Sequence, residues 1–515
     1  MADCKTYVLD SNATGLRYTV EKCPGELEAN PVWFAGEPNS YSDFGAKLTT
    51  QTRNVISESS QLQKGVITDL EASCGFNQDL THDNFQQLAL GFFRTNGRTK
   101  PGSSRPDMSQ INLRSVTATE ITFAGTVADI KVGHLIHVED GANDDRGPFV
   151  VTGVNTAGGT TTVTTGGLNP VASPTADARV SVVGIFFAPG TTKLMYNTEN
   201  GASQIFRKSG TENFSALGLT EGEWVYVGGD NESNRYKVHG FARIDKVYNN
   251  ALRFDKISWV KTEHEDATVD SKTIYLFWAD CIVNEKNPAK VVKRTYQFER
   301  SLGKDADGSM YEYIIGAVPN EAKISIAQAD KVNIDMSFTA QDAEYVNGKQ
   351  TRKPGTQGVI KAGDTYNTSS DMTRIKLALV DNKTDNIKPL FAFATTLDIS
   401  IKNNTSPAKA IGKIGAIDSV YGSFEVGGSG TFYFADVEAT RAVRNNATVT
   451  LDVVMTKAQK GIVIDIPELT LGDGKITIEK DQPITVPLEF NAFESKFGST
   501  ASISFFRYLP KIARS

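Results

Sequence analysis

Apolar and polar residues alternate with a period of two along much of the chain. The clearest runs are Lys323 to Ile326, Val332 to Phe338, Leu397 to Ile401, Thr448 to Val453, Ile462 to Ile466 and Ile484 to Phe490. Such spacing sends successive side chains to opposite faces of a strand. Turn signals rich in Gly, Asn and Asp recur roughly every ten residues, so the pattern predicts a mainly β protein. Two short stretches read as helices instead. One runs from Asp83 to Arg94, with Thr81 or Asp83 as N-cap and Phe85, Leu88 and Phe92 on one stripe. The other runs from Val437 to Arg444, with Asp436 as cap and Ala439 and Val443 facing inward.

The strands repeat. KISIAQADKVNIDMSFTA at 323–340 aligns without a gap on KITIEKDQPITVPLEFNA at 475–492, with Lys323, Ile324, Ile326, Phe338 and Ala340 on Lys475, Ile476, Ile478, Phe490 and Ala492. LTTQTRNVIS at 48–57 lies over LDISIKNNTS at 397–406, and LEASCGFNQDL at 70–80 over FEVGGSGTFYF at 424–434. A strand, loop, strand, helix and final hairpin therefore occur twice, which points to a duplicated unit. The first unit is interrupted between its helix and its hairpin. The interrupting segment holds its own repeat, 132–154 on 221–244, each with a Gly-led strand, an Asp/Asn-rich turn and a return strand. These read as two small inserted β-barrel modules, 110–185 and 200–285. The expected organisation is an N-terminal arm at 1–30, a discontinuous first unit at 31–100 and 290–345, a linker or arm at 346–371, and a second unit at 372–515.

Length supports several domains, since 515 residues exceed one compact core. The chain is 39% hydrophobic and 22% charged, and no apolar run approaches the length needed to cross a bilayer, so no membrane role is expected. MADCKTYVLD carries no basic segment followed by an apolar stretch, and synthesis in a cytoplasm is expected. The net charge of −6, with both signs interspersed, disfavours a tight nucleic-acid binder. Cys4, Cys23, Cys74 and Cys281 form no CxxC pair and read as reduced thiols, with a Cys4–Cys23 pairing left open.

The C-terminal third, NNTSPAKAIGKIGAIDSVYGSFEVGGSGTFYF followed by AVRNNATVTLDVV and IVIDIPELTLGDGKITIEKDQPITVPLEFNAF, resembles the tail tube proteins of long-tailed bacteriophages. VISESSQLQKGVITDLEASCGFNQDLTHDNFQQLALGFF resembles the opening half of the same fold. The resemblance implies two tandem tail-tube folds, each a β-sandwich with one flanking helix, whose inner sheets join side by side around a lumen. It implies ring stacking through loops at Arg53, Asn54 and Gly65 in the first unit and Lys402, Asn403 and Gly415 in the second. It also implies an acidic lumen, for which Asp335, Glu489, Asp398 and Glu425 are the candidates. The implied partners are further copies of the chain, a tape measure protein, a tail terminator and a distal tail protein, with DNA passing through unbound. The implied location is the virion tail, assembled in the host cytoplasm. Six such folds close one ring in that family, so a chain with two would close it as a trimer.

Signatures of chemistry are weak, and neither an enzyme activity nor a cofactor is expected. His134 and His137 sit three apart on one strand and so face opposite ways, which argues against a metal pair with Glu139 and Asp140. Asp305-Ala306-Asp307-Gly308 resembles the start of a calcium loop but has Met310 where the turn needs Gly. Gly427-Gly428-Ser429-Gly430 lacks phosphate-loop spacing and reads as a strand kink. The competing reading is a surface adhesin of tandem β-domains that binds host glycans through aromatics such as Trp224 and Tyr236.

Overall fold

A computed structural model describes residues 14–514 except 54, 57, 59–60, 62, 99, 101–112, 128–129, 176–177, 197–202, 209–212, 229–238, 258–272, 305–306, 359–362, 381–389, 392 and 435–436. Among the described residues the chain is built of strands with two short α-helices. Asn54, Tyr236, Asp436, Asp305 and Cys4 fall outside the described residues.

Seventeen strands are joined by hydrogen bonds into one network. Within it, eight segments run edge to edge in antiparallel order: Pro38–Arg53, Gln63–Asp79, Asn333–Ala340, the second half of Ser309–Ala327, Ala394–Lys402, Glu425–Tyr433, Thr485–Ala492 and the end of Lys460–Asp473. Ser309–Ala327 and Lys460–Asp473 are long because each serves two sheets. Their first halves pair in outer sheets, with Tyr296–Lys304 and Asp342–Val346 in one case and Val449–Lys457 and Ser502–Phe506 in the other. Between inner and outer layers lies one core, which includes Phe76, Phe338, Ile324, Ile399, Leu451 and Phe490. Alternation explains this placement, since every second residue of the inner strands points into that core.

Matching strands hold matching partners. Ser325 pairs with Asn333, and Thr477, its match, pairs with Thr485, the match of Asn333. Asn333 pairs with Asp79, and Thr485 pairs with Tyr433 in the segment aligned on it. The alignment of 48–57 on 397–406 is shifted, however. Leu397 pairs with Gly430, whose match Phe76 pairs with Tyr41, so Tyr41 and not Leu48 stands where Leu397 does. The strand slips through a bulge between Ser42 and Gly45. Period-two similarity alone does not fix register there.

Both helices follow the same strand in the two halves. Gln86–Phe92 is wholly buried and lies against the long strand Ser309–Ala327, while Glu438–Arg444 lies against Lys460–Asp473. Thr81 and Asp83 do not cap the first helix; its N-cap is Phe85, without a side-chain hydrogen bond. Thr81 instead accepts a bond from the Asn84 N–H. Leu16–Val20, inside the stretch read as an arm, is a strand paired with both Val32–Gly36 and Tyr296–Lys304.

Among the described residues, strands from both inserted repeats share one sheet rather than forming two separate barrels. His134–Glu139 and Arg179–Phe187 join Ile274–Trp278, Trp224–Gly228, Gly240–Val247 and further strands in one nine-stranded sheet, beside a smaller four-stranded sheet. The two repeats pool one core, in which Ile136, Val182, Val225 and Leu276 meet. Small hairpin units bury too little apolar surface alone, and merging their sheets supplies the missing cover. A further apolar cluster, with Trp224, Phe241 and Phe277 on one side and Val463, Phe506 and Tyr508 on the other, seats this insertion on the C-terminal strands.

Candidate functional site

The eight-segment sheet has one face against the core and one face open, and the open face is polar. Cross-strand register traces it: Asp335 lies opposite Lys323, Lys323 opposite Ser400, Asp398 opposite Ser429, and Ser429 opposite Glu489. Lys402 lies opposite Glu425 on the same face. All four acidic candidates, Asp335, Asp398, Glu425 and Glu489, are thereby brought onto one surface. Their neighbours in sequence, Ile334, Met336, Leu397, Val426, Leu488 and Phe490, point the other way into the core.

The charge of this face is not wholly acidic. Lys323 Nζ lies 3.0 Å from Asp398, and Lys402 Nζ 3.4 Å from Glu321. Asn77 donates to Asp335 at 2.8 Å. Exposed pairs of this kind contribute little to stability, about 0–1 kcal/mol, but they offset part of the negative charge of the face. The two lysines could have been placed here from their alternation with Ile324 and Ile401. Small residues complete the surface: Ser337, Thr339, Ser400, Gly427 and Thr431 alternate with core positions. Gly428, on the core side, has no room for a side chain, since a Cβ there would come 2.0 Å from the Asp398 backbone oxygen. It lets two strands approach closely, and the Gly-rich run is thus a packing feature.

Both edges of the sheet lack a full partner strand among the described residues. At one edge, Pro38–Arg53 pairs only with Gln63–Asp79. At the other, 474–479 is held by the Thr477–Thr485 bridge and a bond from the Gly474 N–H to the Pro487 carbonyl. Residues Lys323 to Ala327 match this second edge, but there Ala394–Lys402 supplies a complete neighbour. The consequence shows in burial: Ile326 is 5% exposed and its match Ile478 is 72% exposed.

Of the loop candidates, Arg53 ends its strand opposite Gln63 at the tip of a long hairpin. Gly65 lies within that hairpin, close against the Gln51 carbonyl. Lys402 belongs to the polar face rather than to a loop. Asn403 is fully buried: its Nδ2 donates to the carbonyls of Phe92 and Pro319, and its Oδ1 accepts from Arg94 Nε at 2.7 Å. It is a tie between the first helix and the second half of the sheet, because a polar loop start beside a helix C-terminus finds orphan carbonyls to satisfy. Gly415 is buried with φ +86°. The tip of this loop, 411–414, is exposed throughout.

His134 and His137 are both buried and face opposite ways, His134 against Trp278 and His137 against Tyr508. No group of metal-binding side chains occurs among the described residues. Trp224 is 1% exposed and packs inside the seam between the inserted sheet and the C-terminal strands, where Arg374 stacks on it, so it offers no face to a glycan. Sequence reasoning missed the charged cluster in the same seam. Lys460 lies 2.8 Å from Glu139 and 3.4 Å from Asp83, whose Oδ1 accepts a hydrogen bond from His82 Nδ1 at 2.9 Å. Its members lie far apart in the chain, so no local motif announces it.

A family model described as phage tail tube protein matches residues 11–492. The chain belongs to the phage tail tube protein family. No curated protein matches it. As a tail tube protein it is a structural component of the phage tail, and the mainly β architecture agrees with that assignment.

Proposed function

We propose that the chain carries the tube fold twice and assembles as stacked three-chain rings of pseudo-sixfold symmetry, forming a hollow conduit for DNA. One observation carries this reading: the seam between the two halves of the inner sheet, Lys323 to Ala327 against Ala394–Lys402, has a counterpart at the two open edges. The edge at 475–479 matches 323–327, and Tyr41 stands where Leu397 does. Repeating the intrachain register between chains therefore sets Ile478 against Tyr41 of the next copy. An open edge leaves backbone donors and acceptors unpaired, and closing the sheets into a ring removes every edge.

The lumen would be the polar face, with Asp335, Asp398, Glu425 and Glu489 on it. Like charge keeps phosphate from adhering, while the neighbouring lysines moderate the field. The ends of such a tube would meet a tape measure protein, a tail terminator and a distal tail protein, and the particle would be built in the host cytoplasm. The insertion lies on the other side of the core from the polar face and would decorate the exterior.

Ile478→Pro tests the edge. Thr477 makes both bridge bonds with Thr485, so the N–H of residue 478 points outward, away from the chain's own sheet. The variant is expected to fold with an unchanged circular dichroism spectrum yet sediment as a monomer. Tubes from this variant would contradict the reading.

A further inference from the structure

The two ends of the inner sheet differ, and strand direction fixes which features lie at which end. Arg53 and Gln63, Glu321 and Lys402, and Lys402 and Glu425 are paired at one end. Asn333 and Asp79, Ala327 and Thr396, and Tyr433 and Thr485 are paired at the other. The hairpin formed by Ser406–Lys409 and Ala416–Val420 leaves from Lys402 and returns to Glu425, so its tip belongs to the first end. There Ile411 is 107% exposed, flanked by Gly412 and followed by Lys413.

At the opposite end lies a cleft of about 270 Å³, lined by Ile326, Ala329, Met372, Ile375, Ala394 and Leu397 among others. It sits where the two halves of the sheet meet. Its wall is fixed by hydrogen bonds from Thr368 Oγ1 to the carbonyls of Ala327 and Asp330, and from the Gln328 N–H to Thr395. The volume is below the roughly 300–1,000 Å³ of sites for drug-sized ligands, and suits one or two aliphatic side chains. Asp330, next in the chain to the lining residue Ala329, is exposed.

We infer that this cleft is a socket for the Ile411 tip of a second copy in the adjacent ring. The inference rests on the stacked-ring reading and adds its receptor. Translation along the strand direction brings the first end of one ring onto the second end of the next, so an exposed aliphatic knob meets an apolar recess. Lys413 then lies over the rim carrying Asp330, and opposite charge sets the orientation. Burying Ile411 removes from water the most exposed aliphatic side chain of the hairpin.

Paired cysteines test it in full-length chain carrying Cys4→Ser and Cys23→Ser. Tubes of the Ile411→Cys, Ser369→Cys double variant, oxidised and run on a non-reducing gel, are expected to give a ladder of covalent multimers that neither single variant gives. Ile411→Asp is expected to form rings but no long tubes. Tubes of normal length from Ile411→Asp, or double-variant tubes without a ladder, would overturn the socket alone. Failure of the parent chain to form rings at all would overturn the tube reading with it.

Discussion

Ile326 and Ile478 hold the same place in two matching strands, yet one is sealed and the other open to water. The difference is the neighbour: Ile326 has Leu397 opposite it, and Ile478 has no strand on that side among the described residues. The two positions should respond oppositely to the same change. Ile326→Asp buries a charge without a partner and should prevent folding, at a cost of several kcal/mol. Ile478→Asp should leave the melting temperature nearly unchanged and block assembly. Thermal melts paired with sedimentation velocity separate the two effects.

The Arg94–Asn403 bond joins elements far apart in the chain, and Arg94 also stacks on Tyr421 at 4.2 Å from its ring centre. Asn403→Ala leaves two buried carbonyls and one guanidinium nitrogen short of a partner. Each unpaired buried group costs about 1–3 kcal/mol, so the urea midpoint should fall clearly with the slope unchanged. An unchanged midpoint would show that water replaces the amide.

How far the sequence announced this architecture depends on the kind of information needed. The final hairpins were legible because their alternation is regular and one gapless alignment carries both register and turn. The common face of Asp335, Asp398, Glu425 and Glu489 followed from the same period of two. Alternation with Ile324 and Ile401 places Lys323 and Lys402 on that face too, but which carboxylates they meet depends on register between distant segments. Asn403 looked like a loop residue because its partners, Phe92, Pro319 and Arg94, are remote. The merging of the two inserted repeats was hidden for a similar reason: which edges pair is decided by whole sheets, not by any local pattern.

Acid should loosen the seam between insertion and tube. Burial lowers the proton affinity of His82 and His137 below the ordinary histidine value of 6.5, against the opposing pull of Asp83 and Glu139. Each is held neutral in the fold while the unfolded chain binds a proton, so stability falls as pH drops below about 6.5. Burial alone would raise Glu139, but the Lys460 ammonium outweighs it and leaves it at about 2. Its contribution is present above the ordinary value of 4.5 and is lost as pH falls from there towards 2. Melting temperature against pH should therefore decline in two stages. His82→Gln with His137→Gln should remove the first stage and leave the second.

Charge on the polar face should affect passage and not folding. Replacing Asp335, Glu425 and Glu489 together by Lys is expected to change stability by about 0.5 kcal/mol per site at most. Tubes should still form, while ejection of DNA from reconstituted particles slows, and more so at low ionic strength, where screening is weak. Unchanged ejection at low salt would remove the lumen role of these residues.

The most direct test of the account is cryo-electron microscopy of assembled tubes at a resolution that separates chains. Three chains per ring are expected, with six alternating inner-sheet units and continuous strand pairing from residues 475–479 of each chain to residues 40–45 of the next. Six chains in a ring, or rings whose inner sheets are not joined at those edges, would contradict it.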